Sequence, residues 1–77
     1  MQSIEQKIIT AVAKSLEGNV QFHDDDDIVH AIDLAAAEGG PEVWSWWEAR
    51  RTLTAVVESD VKTIRRQAFT GATRRTI

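Results

Sequence analysis

Apolar residues return every four positions from Ile4 through Ile8 and Val12 to Leu16, with Ile9 and Ala13 beside them, while Lys7, Thr10, Lys14 and Glu17 fall on the other side. That period predicts an amphipathic helix over residues 4–17. Ser3-Ile4-Glu5-Gln6 has the spacing of a capping box at its start, and Gly18-Asn19 supplies a left-handed stop at its end. Val20-Gln21-Phe22 is too short for a helix and alternates like a strand, so a short strand fragment is expected there, its two apolar side chains plugging the core. A second helix is predicted over 26–38, with Ile28, Val29, Ile32, Ala35 and Ala36 inward and His30, Asp33 and Ala37 outward.

Gly39-Gly40 ends that helix, and Pro41 suits a first helical position, where its missing N–H would have had no partner. The third helix is predicted over 41–58, with Val43, Trp46, Trp47, Leu53, Val56 and Val57 able to face inward. Val57, Val61, Ile64 and Ala68 then carry the helical spacing onward. One helix from Pro41 to Phe69 would be about 43 Å long, a large span for so short a chain. Ser59-Asp60 can cap a new start, so a break is expected near Ser59, followed by a fourth element over 60–69.

The fold class that follows is mainly α: a small domain of three to four helices spanning 1–70, at most a short strand near 20–22, and a mobile basic tail over 71–77. A different ending is also readable, because VKTIRRQAF and TRRTI are rich in β-branched residues around Thr70-Gly71 and can pair as a β-hairpin. The order helix, short strand, helix, turn, helix, hairpin then resembles that of winged helix-turn-helix domains. The resemblance implies a DNA-binding transcriptional regulator with Pro41 to Val57 as recognition helix.

Composition narrows the function classes. A 77-residue chain buries only about 60% of the surface its unfolded form exposes. With no cysteine it has no disulfide, thiolate nucleophile or zinc-thiolate site to help. Stability must come from apolar packing or from association, which makes a homodimer an expectation. The start, MQSIEQK, lacks the layout of a signal peptide, and no apolar run approaches the roughly 20 residues that span a bilayer, so no membrane partner and a cytoplasmic location are expected. Neither His23 nor His30 belongs to a triad motif, there is no tyrosine, and Gly39-Gly40 lacks the spacing of a phosphate-binding loop. The chain reads as non-enzymatic and without a cofactor.

Charge points to the kind of partner. The net charge of −3 hides a division: residues 1–49 carry ten acids against two bases, and residues 50–77 carry seven bases against two acids. Folding one end over the other would satisfy the division internally; otherwise it leaves an acidic face and a basic end. His23, Asp24, Asp25, Asp26, Asp27 and His30 make the only cluster with metal-ligand chemistry, yet no HExxH or calcium-loop spacing is present. Helix capping and solvated charge account for these residues without a metal. Four adjacent carboxylates exceed what one cap can use, so Asp24, Asp25, Asp26, Asp27 and Asp33 are read as a surface for a basic protein partner. Of the three indoles, two are assigned to the core and one, Trp44 beside the Gly-Pro turn, to the edge of that surface.

Arg50 and Arg51 lie where arginine can stack on an indole one turn away. With Lys62, Arg65, Arg66, Arg74 and Arg75 they are the candidate nucleic-acid contacts, although an acidic chain is an unusual carrier of phosphate affinity. In size, acidity and lack of cysteine the chain is similar to the small inhibitors and regulators carried by phages and mobile elements, anti-CRISPR proteins among them. That likeness implies a non-catalytic protein–protein interaction module that acts by occupying a partner's surface.

Overall fold

The computed structural model describes residues 3–75, with side chains from Ser3 to Phe69. Four helices follow one another: α1 (Ile4–Ser15), α2 (Asp25–Glu38), α3 (Pro41–Arg51) and α4 (Thr54–Arg75), with a 3-10 turn at Val20–Phe22 between the first two. Among the described residues there is no strand. The small all-α domain predicted from periodicity is therefore what forms. The hairpin alternative is not, since α4 runs unbroken to Arg75, through all of its segment that lies within the described residues.

The ends of α1 and α2 and the start of α3 have local causes. Ser3 Oγ accepts from the Gln6 N–H at 3.1 Å, opening α1. Its other end is a Schellman turn: Gly18 N–H reaches Ala13 O at 2.8 Å and Glu17 N–H reaches Lys14 O at 3.2 Å. The left-handed residue of that turn is Glu17, at φ 55°, with Gly18 at φ 77° after it. Asp24 Oδ1 caps α2 through the Asp27 N–H at 2.9 Å. Gly40, at φ 98°, turns the chain into α3 in a conformation that a Cβ disfavours. At Gly39 a Cβ would meet Val43 at 2.9 Å, so that corner closes only around a residue without one.

The break between the last two helices comes earlier than expected. α3 stops at Arg51, Thr52 Oγ1 donates to Ala49 O at 3.0 Å, and the Leu53 carbonyl accepts from the N–H groups of Val56 and Val57 to start α4. The expected break near Ser59 and the helix over 41–58 are thus corrected to a corner at Thr52-Leu53. Leu53 lies on the outside of it, 58% exposed rather than inward. The physical reason is a cross-corner pair, Arg50 with Asp60, which a straight helix would hold about 15 Å apart. α4 then continues to Arg75, past the 60–69 element and into the segment read as a tail.

The core is one cluster. Ile8, Ile9 and Val12 of α1, Val20 of the 3-10 turn, Ile28, Ala31, Ile32 and Ala36 of α2, Val43 and Trp47 of α3, and Val61, Ile64 and Ala68 of α4 are buried together. Trp47 is its largest member, with no exposed surface, and its indole Nε1–H donates to Asp33 Oδ1 at 2.5 Å. The 3-10 turn contributes Val20 alone. Phe22, expected to plug the core, stands 80% exposed, because three residues of 3-10 helix cannot turn two side chains two apart to the same side.

Candidate functional site

Three arginines hold partners on other elements, and two of them, Arg51 and Arg65, join the basic half of the chain to the acidic one. Arg50 grips Asp60 with two bonds, Nε to Oδ2 at 2.8 Å and Nη2 to Oδ1 at 2.9 Å, and its guanidinium lies 4.6 Å from the centre of the Trp46 ring. Hydrogen bonding to Asp60 and the nearby charges of Asp60 and Glu5 hold the Arg50 pKa above its ordinary value, against a smaller opposing effect of burial. Arg51 Nη1 lies 3.6 Å from Asp33 Oδ1. Arg65 Nη2 donates to the His23 carbonyl at 2.7 Å and lies 3.0 Å from Asp25 Oδ1, tying α4 to the start of α2.

These pairs redistribute the residues assigned to an acidic surface. Asp33, expected outward, is turned toward Trp47 and Arg51, because the buried indole N–H requires an acceptor. Asp24 caps α2, Asp25 meets Arg65, and Asp27 Oδ2 lies 3.6 Å from His23 Nδ1. Asp24 to Asp27 nonetheless all remain exposed, Asp26 with them, so the four carboxylates still form one negative surface. Trp44 is half-buried and packs against the core, as does Trp46; only Trp47 is wholly inside. The exposed aromatic beside the aspartates is Phe22, not Trp44. Sequence reasoning missed it by assigning both apolar residues of a three-residue segment to the core.

Of the candidate nucleic-acid contacts, Arg50, Arg51 and Arg65 are held in the pairs above, and Lys62 and Arg66 are exposed on α4. The side chains of Arg74 and Arg75 lie outside the described residues. Asp60 was the other residue missed. Read as a cap, it is instead the acid of the α3–α4 corner. Its position three after Val57 and four before Ile64 already placed it on the flank of the apolar stripe.

A narrow crevice of about 10 Å³ lies where α1, α2, α3 and α4 meet. Glu5, Ile8, Ile32, Trp46, Trp47, Asp60 and Ile64 line it. That is room for a water molecule and nothing larger. Among the described residues no three histidine, aspartate or glutamate side chains converge as metal ligands, and no helix is long and apolar enough to cross a membrane. Compared with family models, with curated proteins and with solved structures, the chain matches none.

Proposed function

We propose that this protein is a non-catalytic protein–protein interaction module that binds through the edge where the 3-10 turn enters α2. The observation that carries the reading is Phe22, 80% exposed and directly before the His23-Asp24-Asp25-Asp26-Asp27 run. A phenyl ring held in water at the border of a charged surface is what an interface anchor looks like before its partner arrives. The carboxylates select and steer a partner rich in lysine or arginine, and the ring supplies the desolvated contact that solvated ion pairs lack. The module would act as small inhibitors and regulators do, by covering a basic surface on its target. The winged-helix reading has less support, since the hairpin is absent among the described residues and three of its arginines already hold aspartates.

Affinity capture from a nuclease-treated lysate, with the parent and with Phe22→Asp as baits, tests this reading. A protein retained by the parent and lost by the variant is the expected result. Capture that is equal for both baits, or that disappears with nuclease, overturns it.

A further inference from the structure

The edge that carries Phe22 does not end at the aspartates. Arg65 reaches the carbonyl of His23, the residue after Phe22, so the second half of α4 runs directly beside the 3-10 turn. Lys62, Arg65 and Phe69 are spaced by three and four, which places them along the side of α4 that Arg65 turns toward the 3-10 turn and the start of α2, with Arg66 beside them. Phe69 is 42% exposed, and Lys62 and Arg66 are exposed. The surface therefore has carboxylates on the α2 side and cations on the α4 side, meeting where Arg65 reaches Asp25, and each side carries an exposed phenyl ring, Phe22 before α2 and Phe69 on α4.

A surface of that kind is complementary to itself. Turned by 180° about an axis through the seam where Arg65 meets Asp25, the carboxylates of one copy lie over the cations of the other, and the reverse contact forms at the same time. A basic surface matches the carboxylate half alone, whereas a second copy brings cations to the carboxylates and carboxylates to the cations at once. The basic, apolar partner that the proposed function calls for is thus carried by the chain itself. We propose that a second copy of this chain covers the surface in a two-fold dimer. Phe22 and Phe69 are within it, and Asp26 of each copy faces Lys62 of the other.

The inference rests on the reading of the Phe22 edge as a contact surface and names its occupant. Sedimentation equilibrium between about 10 and 500 µM, the range in which small interfaces associate, reads it directly. The parent is expected to dimerise, and Phe22→Asp to weaken the dimer at least about 10-fold while keeping its helical circular dichroism.

A charge swap then tests the symmetry. Asp26→Lys alone places lysine opposite Lys62 at both contacts, and Lys62→Asp alone places aspartate opposite Asp26 at both; each variant is expected to stay monomeric where the parent dimerises. An equimolar mixture of the two restores an opposite-charge pair at both contacts and is expected to sediment as a dimer. A parent that stays monomeric throughout, a dimer indifferent to Phe22→Asp, or a mixture no more associated than its components overturns the proposal. A monomeric parent whose captured protein is still lost with Phe22→Asp would sink the second copy as occupant and leave the contact surface standing.

Discussion

Arg50 and Arg65 each reach across two elements to an aspartate, and the two ends of the molecule that they organise could hardly differ more. At the α3–α4 corner Arg50 meets both oxygens of Asp60, whose side chain is only 12% exposed, and lies on an indole. At the edge where α4 meets the start of α2, a single nitrogen of Arg65 serves both a carbonyl and an exposed carboxylate. Its Nε and Gln21 Oε1 are out of water there with no partner among the described residues. Arg50 and Asp60 are ten residues apart in the chain, whereas Arg65 and His23 are forty-two apart. The comparison teaches where the domain is finished and where it is not. The corner uses its charges to fix the fold, while the edge leaves a phenyl ring and surplus charge facing outward.

The largest effect that would sharpen the contrast comes from the aromatic residues. Trp47→Ala empties the centre of the core and leaves Asp33 without its donor, so a loss of about 3–5 kcal/mol is expected. Total stability for so small a domain is of order 5 kcal/mol, and such a loss leaves a large unfolded fraction in urea-free buffer, visible by circular dichroism. Phe22→Ala, at the open edge, is expected to change stability by less than about 0.5 kcal/mol. A large destabilisation by Phe22→Ala in denaturant melts would place that ring in the core after all.

The arginines give the next largest difference. Arg50→Ala leaves a poorly hydrated carboxylate without its two charged donors and is expected to cost about 2 kcal/mol. Arg65→Ala removes one carbonyl bond and an exposed pair, for about 1 kcal/mol or less. The sign of the pH dependence follows from the raised Arg50 pKa. Its contribution is complete below the ordinary guanidinium value and is lost only as pH rises through the folded one. The gap between parent and Arg50→Ala melts should therefore stay constant from about pH 6 to 9. A gap that closes within that range would show that the pair does not hold the corner.

This contrast also explains what could be read in advance. α1, α2 and the start of α3 were legible because their signals are local: an apolar period, a serine or aspartate cap, a glycine or proline stop. The Thr52-Leu53 corner was not, because threonine and leucine carry no strong stop signal. What bends the chain there is Arg50 finding Asp60 in the folded molecule. Asp33 was misplaced for a related reason. Helical periodicity puts it on the outer side of α2, and only the approach of α3 brings the Trp47 indole to it. The exposed aromatic was assigned to Trp44 because bulk near a turn suggested a surface patch. Phe22 was overlooked because nothing in three residues distinguishes a strand from a 3-10 turn.

Within the acidic run, a smaller experiment separates the part that folds the chain from the part that faces outward. Asp24→Ala removes the side-chain bond that caps α2 and is expected to cost about 1 kcal/mol. Asp26→Asn loses a favourable charge in the first turn of α2, and also relieves repulsion among four adjacent carboxylates, so stability should stay within about 0.5 kcal/mol of the parent. If the two variants melt alike, the cap is not what Asp24 contributes.

The smallest effect is a gain, and it lies on the path from α1 to the open edge. Glu17 occupies the left-handed position of the Schellman turn at φ 55°, where a Cβ crowds the following carbonyl at a cost of about 1 kcal/mol. Its negative charge also sits at the C-terminal, partially negative end of the α1 dipole. Both features oppose the turn, and they can be separated. Glu17→Gln removes the charge and keeps the Cβ, so a gain of about 0.3 kcal/mol is expected, one that fades with added salt. Glu17→Gly removes both, but glycine gives back part of the benefit by loosening the unfolded chain, which leaves a net gain of about 0.5–1 kcal/mol, most of it insensitive to salt. Chemical denaturation of parent and both variants at low and high salt measures the two contributions. If Glu17→Gly is no more stable than Glu17→Gln, the left-handed backbone carries no strain, and the openness of this edge owes nothing to the turn that leads into it.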